Sequence, residues 1–98
     1  MAEKMHEMRL MVSVEDLKWF KENFPMFKWT AGDTTLKWNS NKPEEVALAK
    51  KAFEAYKQKH PRALAFSIDK DGKISEHATK EFDANAEMIV MQEYAVKG

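Results

Sequence analysis

The 98-residue chain contains no cysteine, which excludes disulfide bonds, thiolate metal sites and a cysteine nucleophile. Its 16 basic and 16 acidic residues cancel, so no net charge attracts nucleic acid or an anionic membrane. Because 44% of the residues are apolar, we expect one folded domain over residues 1–98. No segment approaches about 18 consecutive apolar residues and no signal-peptide pattern opens the chain, so we expect a soluble, cytoplasmic protein without membrane contact.

Residues 1–12 are predicted to form a methionine-rich N-terminal arm, for which two structures stay open. The methionines have the spacing of one helix face: Met1, Met5, Met8 and Met11. Apolar residues also alternate there as they do in a strand: Met8, Leu10, Val12 and Val14. In either structure, flexible methionine side chains fill gaps in a core or form a soft protein interface.

A short helix is predicted over about residues 14–23. Ser13 suits its N-cap position, and Pro25 stops it. Phe20 lies on the apolar face of this helix, whereas Trp19 falls on the opposite, polar side. Two interpretations of this tryptophan stay open: it packs beneath the N-terminal arm, or it is exposed in a partner-binding patch.

Aromatic residues on both sides of Gly32 and Asp33 predict a β-hairpin with these two residues as its turn. The predicted cross-strand pairs are Trp29 with Leu36 and Phe27 with Trp38. Such a cluster could serve as a stacking platform for single-stranded nucleic acid only with a basic border, and the neighbouring lysines point to the opposite face. We therefore expect these aromatic side chains to lie in the core.

The longest predicted helix spans about residues 43–59, where Pro43 suits the first turn and Pro61 stops the helix. Its apolar face is broad and comprises Val46, Leu48, Ala49, Ala52, Phe53 and Tyr56. Its opposite face is polar and comprises Lys50, Lys51, Glu54, Lys57 and Gln58. Lysines lie three and four residues from Glu54, so we interpret this as a solvated face rather than a phosphate-binding stripe.

Residues 63–82 predict a second hairpin. Asp69 and Gly72 suit the first and fourth positions of a type I turn, with the glycine in the left-handed conformation. The register that buries most apolar surface pairs Ile68 with Ile74, Phe66 with Glu76, and Leu64 with Ala78. In this register the large apolar residues of the first strand face the long helix. The opposite face then carries Ser75, His77 and Thr79.

The same turn imitates part of a calcium loop, but Ala78 occupies the position that requires a bidentate glutamate, so we interpret it as a hairpin corner. The histidines, His6, His60 and His77, have no second ligand at helical or hairpin spacing. Nothing in the sequence orients Ser75 and His77 as a nucleophile and base. We therefore expect no metal, no cofactor, no catalytic site and no small-molecule substrate.

Four consecutive apolar residues, 88–91, predict a strand that lies centrally or is covered on both faces, and residues 95–98 are predicted to be a tail. The predicted fold class is therefore α+β. It is a single small domain with an antiparallel or mixed sheet of four to five strands, covered by the long helix, plus the short N-terminal helix. A β-grasp-like order is the first topology to consider, with the strands before and after the long helix as parallel neighbours.

Several short segments between residues 34 and 91 carry a shared pattern: Thr35-Leu36-Lys37-Trp38, Lys42-Pro43-Glu44-Glu45-Val46, Ala65-Phe66, Asp69-Lys70-Asp71-Gly72, Glu81-Phe82-Asp83, Ala86-Glu87 and Ile89-Val90. In these segments the chain resembles a family of small, uncharacterised proteins encoded by phages and prophage-like elements. The resemblance covers a little over half of the chain, and the first 25 residues lie outside it. Family members have proline-rich tails that end in glycine, whereas the tail here is Gln92–Gly98. The resemblance implies a viral or mobile-element context and carries no activity or site residue.

We expect a non-catalytic protein-interaction module, a phage or mobile-element accessory protein that binds a host or virion protein or self-associates as a homodimer. In a viral setting it would act in the host cell cytoplasm. The expected partner-binding residues are Trp19, Met8, Met11 and His77. The alternative is a nucleic-acid-binding protein that uses Lys50, Lys51, Lys57, Lys59 and Arg62. The zero net charge makes this alternative the less favoured of the two.

Overall fold

The computed structural model describes residues 5–79, 81–84 and 86–93, without the side chains of residues 92 and 93. Along the chain it contains β1 (Met5–Val12), α1 (Val14–Asn23), β2 (Gly32–Asn39), α2 (Pro43–Lys59), β3 (Ala63–Ile68) and β4 (Met88–Glu93). The four strands form one sheet in the order β2-β1-β4-β3. β1 is antiparallel to β2 and parallel to β4, and β3 is antiparallel to β4. The fold is therefore α+β with a mixed sheet. The predicted tail at 95–98 lies outside the described residues.

Both helices lie where the sequence predicts them, because their ends are marked locally. The amide of Asp16 donates a hydrogen bond to Ser13 Oγ over 3.2 Å, which caps α1. Pro43 occupies the first turn of α2, and the cap position is Lys42. That residue offers no side-chain cap, and Glu45 Oε1 instead accepts a hydrogen bond from the amide of Asn39 over 2.9 Å. The second helix is thereby tied to the end of β2.

The N-terminal segment, which we expected to be an arm, is from Met5 onward a strand in the interior of the sheet. Its alternating apolar residues, rather than the helical spacing of its methionines, determine its structure. Met8, Leu10 and Val12 are buried in the core, and the residues between them point to the other face. A strand with this alternation buries one face, as β1 does.

The predicted hairpin around Gly32 is wrong. Residues 25–31 form a loop, and β2 pairs with β1 instead of with the segment before it. Trp29 is still buried, because its ring stacks on Phe20 at 4.6 Å and its Nε1 donates to the carbonyl of Phe24. The loop therefore closes the core next to α1 without adding a strand. The aromatic spacing predicted the burial correctly and the pairing incorrectly.

A further correction concerns the strands on either side of α2, which we expected to be parallel neighbours. β2 and β3 occupy opposite edges of the sheet, separated by β1 and β4. The prediction that residues 88–91 form a central strand is confirmed, because β4 lies between β1 and β3.

The sheet has a core face and an open face. The buried cluster contains residues of both helices together with alternate residues of every strand, and these residues define the core face. On β3 the core-facing residues are Ala63 and Ala65, whereas Leu64, Phe66 and Ile68 point to the open face. The prediction that the large residues of this strand face the long helix is therefore wrong. The small residues Ala63 and Ala65 are the β3 members of the buried cluster.

The turn of the predicted second hairpin is confirmed, and its second strand is not. The amide of Gly72 donates to the carbonyl of Asp69 over 2.9 Å, and Gly72 has a φ of 83°. Ile68 bridges Ile74 as predicted. The next bridge joins Ala65 to Thr79, because the returning segment bends and is two residues longer than its partner. The predicted pairs of Phe66 with Glu76 and of Leu64 with Ala78 are therefore wrong.

We expect Gly72→Ala to lower the free energy of unfolding by about 1 kcal/mol, because alanine is strained at a left-handed φ. Gly72→Asn should cost less, since asparagine adopts this conformation more readily. Urea denaturation of the three proteins measures both differences. Equal losses for alanine and asparagine would contradict the left-handed turn.

Candidate interaction surface

The open face of the sheet carries an apolar block on its β3 and β4 half. Its members share this face through their registers, and they are Leu64, Phe66, Ile68, Met88 and Val90. Leu64 is 37% exposed, and the other four are half-buried. Ile74, which bridges Ile68, extends the block beyond the sheet edge and is exposed. A contiguous apolar patch of this kind is typical of a surface that contacts another protein.

The β1 and β2 half of the open face carries charges of both signs. Lys37 Nζ lies 3.9 Å from Glu7 Oε1 across the two strands. Arg9 follows two residues along β1, and Asp33 lies near the start of β2. Two methionines, Met5 and Met11, flank these charges at the ends of β1 and are both exposed.

Directly paired residues lie side by side on one face, so the registers give a map of this surface. One row across the four strands consists of Lys37, Glu7, Met88 and Ile68. The adjacent row consists of Thr35, Arg9, Val90 and Phe66. We call these the first and second central rows.

A second cluster joins α1 to the end of α2. Asp16 accepts from His60 Nε2 over 2.8 Å and lies 3.9 Å from Lys59 Nζ. The same lysine ammonium lies 4.4 Å from the ring centroid of Trp19, a cation–π distance. The His60 ring also packs on Tyr56. No local pattern in the sequence indicates this junction, because its residues are brought together only by the packing of the two helices.

The four predicted partner-binding residues do not form one site. Met8 is fully buried in the core, so the expectation that it contacts a partner is wrong. Met11 is 56% exposed on the open face. Trp19 is 38% exposed at the helix junction, where its ring contacts Phe20, Phe24 and Lys59. His77 is exposed in the bend after the turn.

A cleft of about 900 Å³ opens beside the start of β4, between the beginning of β1 and the Asp69–Gly72 turn. Its walls carry two lysines, Lys70 and Lys73, and four carboxylates, Asp69, Glu76, Asp83 and Glu87. Because charges of both signs line the cleft, we assign it no ligand.

His6 lines the same cleft but is itself buried. Its ring stacks on Trp38 at 5.5 Å, and its Nδ1 donates to the carbonyl of Ala86 over 2.6 Å. Its Nε2 is buried and makes no hydrogen bond to any other described residue. The side chain therefore fastens the start of β1 to the segment before β4.

The lysines proposed for nucleic-acid binding are spread along α2 and beyond it. Lys50 and Lys51 are exposed, Lys57 is half-buried, and Arg62 is exposed after the helix. Lys59 is engaged by Asp16 and Trp19 as described above. The set therefore contains a junction residue as well as surface residues.

Within the described ranges, no three histidine, cysteine, aspartate or glutamate side chains come together as a metal site. None of the helices in this part of the chain is long and apolar enough to cross a membrane. Comparison of the chain with protein-family models, with curated proteins and with solved structures gives no match.

The sequence did not reveal which face of β3 is open, because its side chains form two alternating sets, one on each face of the sheet. Leu64, Phe66 and Ile68 form one set, and the small Ala63 and Ala65 belong to the other. Choosing the larger set as the buried one is the usual rule, and here it fails. The signal that could have corrected it is the number of aromatic residues on the helices and on the loop of residues 24–29, which already fill the core.

The Asp16–His60 contact should stabilise the helix junction more than an exposed pair would. In a double-mutant cycle with Asp16→Ala and His60→Ala, we expect a coupling of about 1 kcal/mol, because both side chains are about four-fifths buried. The matched control is the exposed Lys18–Glu22 pair, for which the coupling should stay below about 0.5 kcal/mol. Chemical denaturation measures both cycles, and equal couplings would contradict a structural role for the junction.

Proposed function

We propose that this chain is a non-catalytic protein-interaction module that binds its partner through the open face of the sheet. The apolar block on β3 and β4 carries this proposal. Three large side chains of one strand, Leu64, Phe66 and Ile68, point away from a core that would gain from burying them. Their burial against another protein would supply the free energy that the fold itself leaves unused.

The shape and charge of this face favour a protein over other partners. The apolar block extends along β3 and β4, whereas the cleft that could hold a small molecule lies only at one end of these strands. Its charges are of both signs, with Lys37 beside Glu7, whereas a nucleic-acid surface needs an excess of basic groups. The nucleic-acid alternative through the α2 lysines is further weakened by Lys59, whose ammonium already contacts Asp16 and Trp19.

The histidines support a non-catalytic role. His6 is buried and fastened to Ala86, and His60 is held by Asp16 at the helix junction. His77 is exposed in the bend after the Asp69–Gly72 turn. Each of the first two has a structural use in the fold, which is the simpler explanation of its position.

We also propose a β-grasp-like arrangement and a mobile-element setting. The parallel pairing of β1 with β4 at the centre of the sheet, with α2 in the connection between β2 and β3, supports the first. The resemblance of residues 34–91 to phage-encoded proteins supports an accessory role in the cytoplasm.

A photo-crosslinking amino acid at Leu64 tests the proposed function in expressing cells. We expect discrete crosslinked protein products, because this exposed position belongs to the apolar block. The matched control is the same amino acid at Lys51, an exposed position on α2, which should give only diffuse background. Gel mobility and mass spectrometry identify the products. Background labelling at both positions would overturn the proposal.

A further inference from the structure

We propose that the partner on the open face is a second copy of this chain, packed face to face about a two-fold axis that runs across the strands. This inference rests on the proposed function and adds the identity and orientation of the partner. It follows from the order of side chains in the two central rows.

A two-fold axis in the plane of the interface exchanges positions between the two copies. We place this axis perpendicular to the strands and midway between the two central rows. Each strand then faces the same strand of the other copy. The first central row of one copy faces the second central row of the other. Glu7 of one copy then faces Arg9 of the other, and the symmetry repeats this contact. Opposite charges therefore meet twice across the interface.

The same operation places apolar residues against apolar residues. Met88 faces Val90 of the other copy, and Ile68 faces Phe66. On β2 the facing residues are Lys37 and Thr35, which bring no like charges into contact. At the ends of β1 the exposed Met5 and Met11 face each other. Every position in the central rows thus meets a compatible partner.

The alternative axis, parallel to the strands, does not give this match. It would place β1 of one copy on β4 of the other, so that Glu7 faces Met88 and Arg9 faces Val90. It would also place Lys37 of β2 on Ile68 of β3, so that three charges on each copy would be buried against apolar side chains, which is costly without a paired charge. The arrangement of residues selects the axis across the strands.

The size of the face indicates a weak association. Two strands of eight residues and two of six, about 4.8 Å apart, cover about 450 Å² on each copy, or about 900 Å² in total. This total lies in the range of weak and transient complexes. We therefore expect a dimer with a dissociation constant on the order of micromolar, in which an 11.4 kDa chain approaches twice its mass as concentration rises.

Charge reversal at the two facing positions tests the pairing. Each of Glu7→Arg and Arg9→Glu places like charges in both symmetric contacts. Each should raise the dissociation constant by about tenfold or more in sedimentation equilibrium. The controls are Glu54→Arg and Lys51→Glu on α2, which make the same changes of charge outside the open face and should leave the constant within about threefold. Circular dichroism establishes that each variant is folded.

The double variant Glu7→Arg/Arg9→Glu is the decisive sample. It has the same net charge as the original chain, and its two positions again face opposite charges. We expect its dissociation constant to return to within about threefold of the original value. A double variant that stays as weak as the single variants would overturn the proposed two-fold axis.

A chain that stays monomeric at concentrations of about 1 mM would overturn the second copy as the partner. If position 64 then still crosslinks to a different protein in cells, the interaction module stands and only the identity of its partner is wrong. Background crosslinking together with a monomeric chain would remove both proposals.

Discussion

The core of this protein is filled from one side of the sheet, and the other features of the molecule depend on that constraint. Phe20 of α1 packs on Tyr56 of α2 and stacks on Trp29 of the following loop. The buried cluster that contains these rings also contains the small residues Ala63 and Ala65, which occupy the core-facing positions of β3. The larger residues of the same strand are consequently left on the open face. An interaction surface thus arises from the way in which the core is packed.

The helix junction fixes how the two helices sit on the sheet. Tyr56 combines three roles: its ring packs on Phe20 and on His60, and its hydroxyl donates to the carbonyl of Met11 over 2.8 Å. That last bond joins α2 to β1 across the core. The Asp16–His60 contact adds a polar link at the outer end of the same helix pair. These contacts hold the two helices and β1 together, and none of them uses a side chain of the open face.

Local signals in the sequence predicted the helices and the turn, but they did not predict which distant strands pair. Ser13, Pro43 and Gly72 each mark a boundary through their own chemistry, and the structure follows them. The strand partners of β2 and β3 depend on residues far away in the chain, for which one sequence has no local mark. The same lack of long-range information explains why the open face was not predicted. An alternating strand shows that it has two faces, whereas only the rest of the fold shows which of them is buried.

The parallel contact between β1 and β4 has a consequence for how the protein acquires its structure during synthesis. Glu7 lies opposite Met88, so the centre of the sheet joins residues from nearly opposite ends of the chain. A ribosome releases β1 well before β4, and until β4 emerges the only native partner of β1 is β2. A two-stranded ribbon of this kind is marginal in water. The sheet is therefore completed only after β4 has left the ribosome, and because its central contact joins residues far apart in the chain, we expect slower folding than in helical domains of this size.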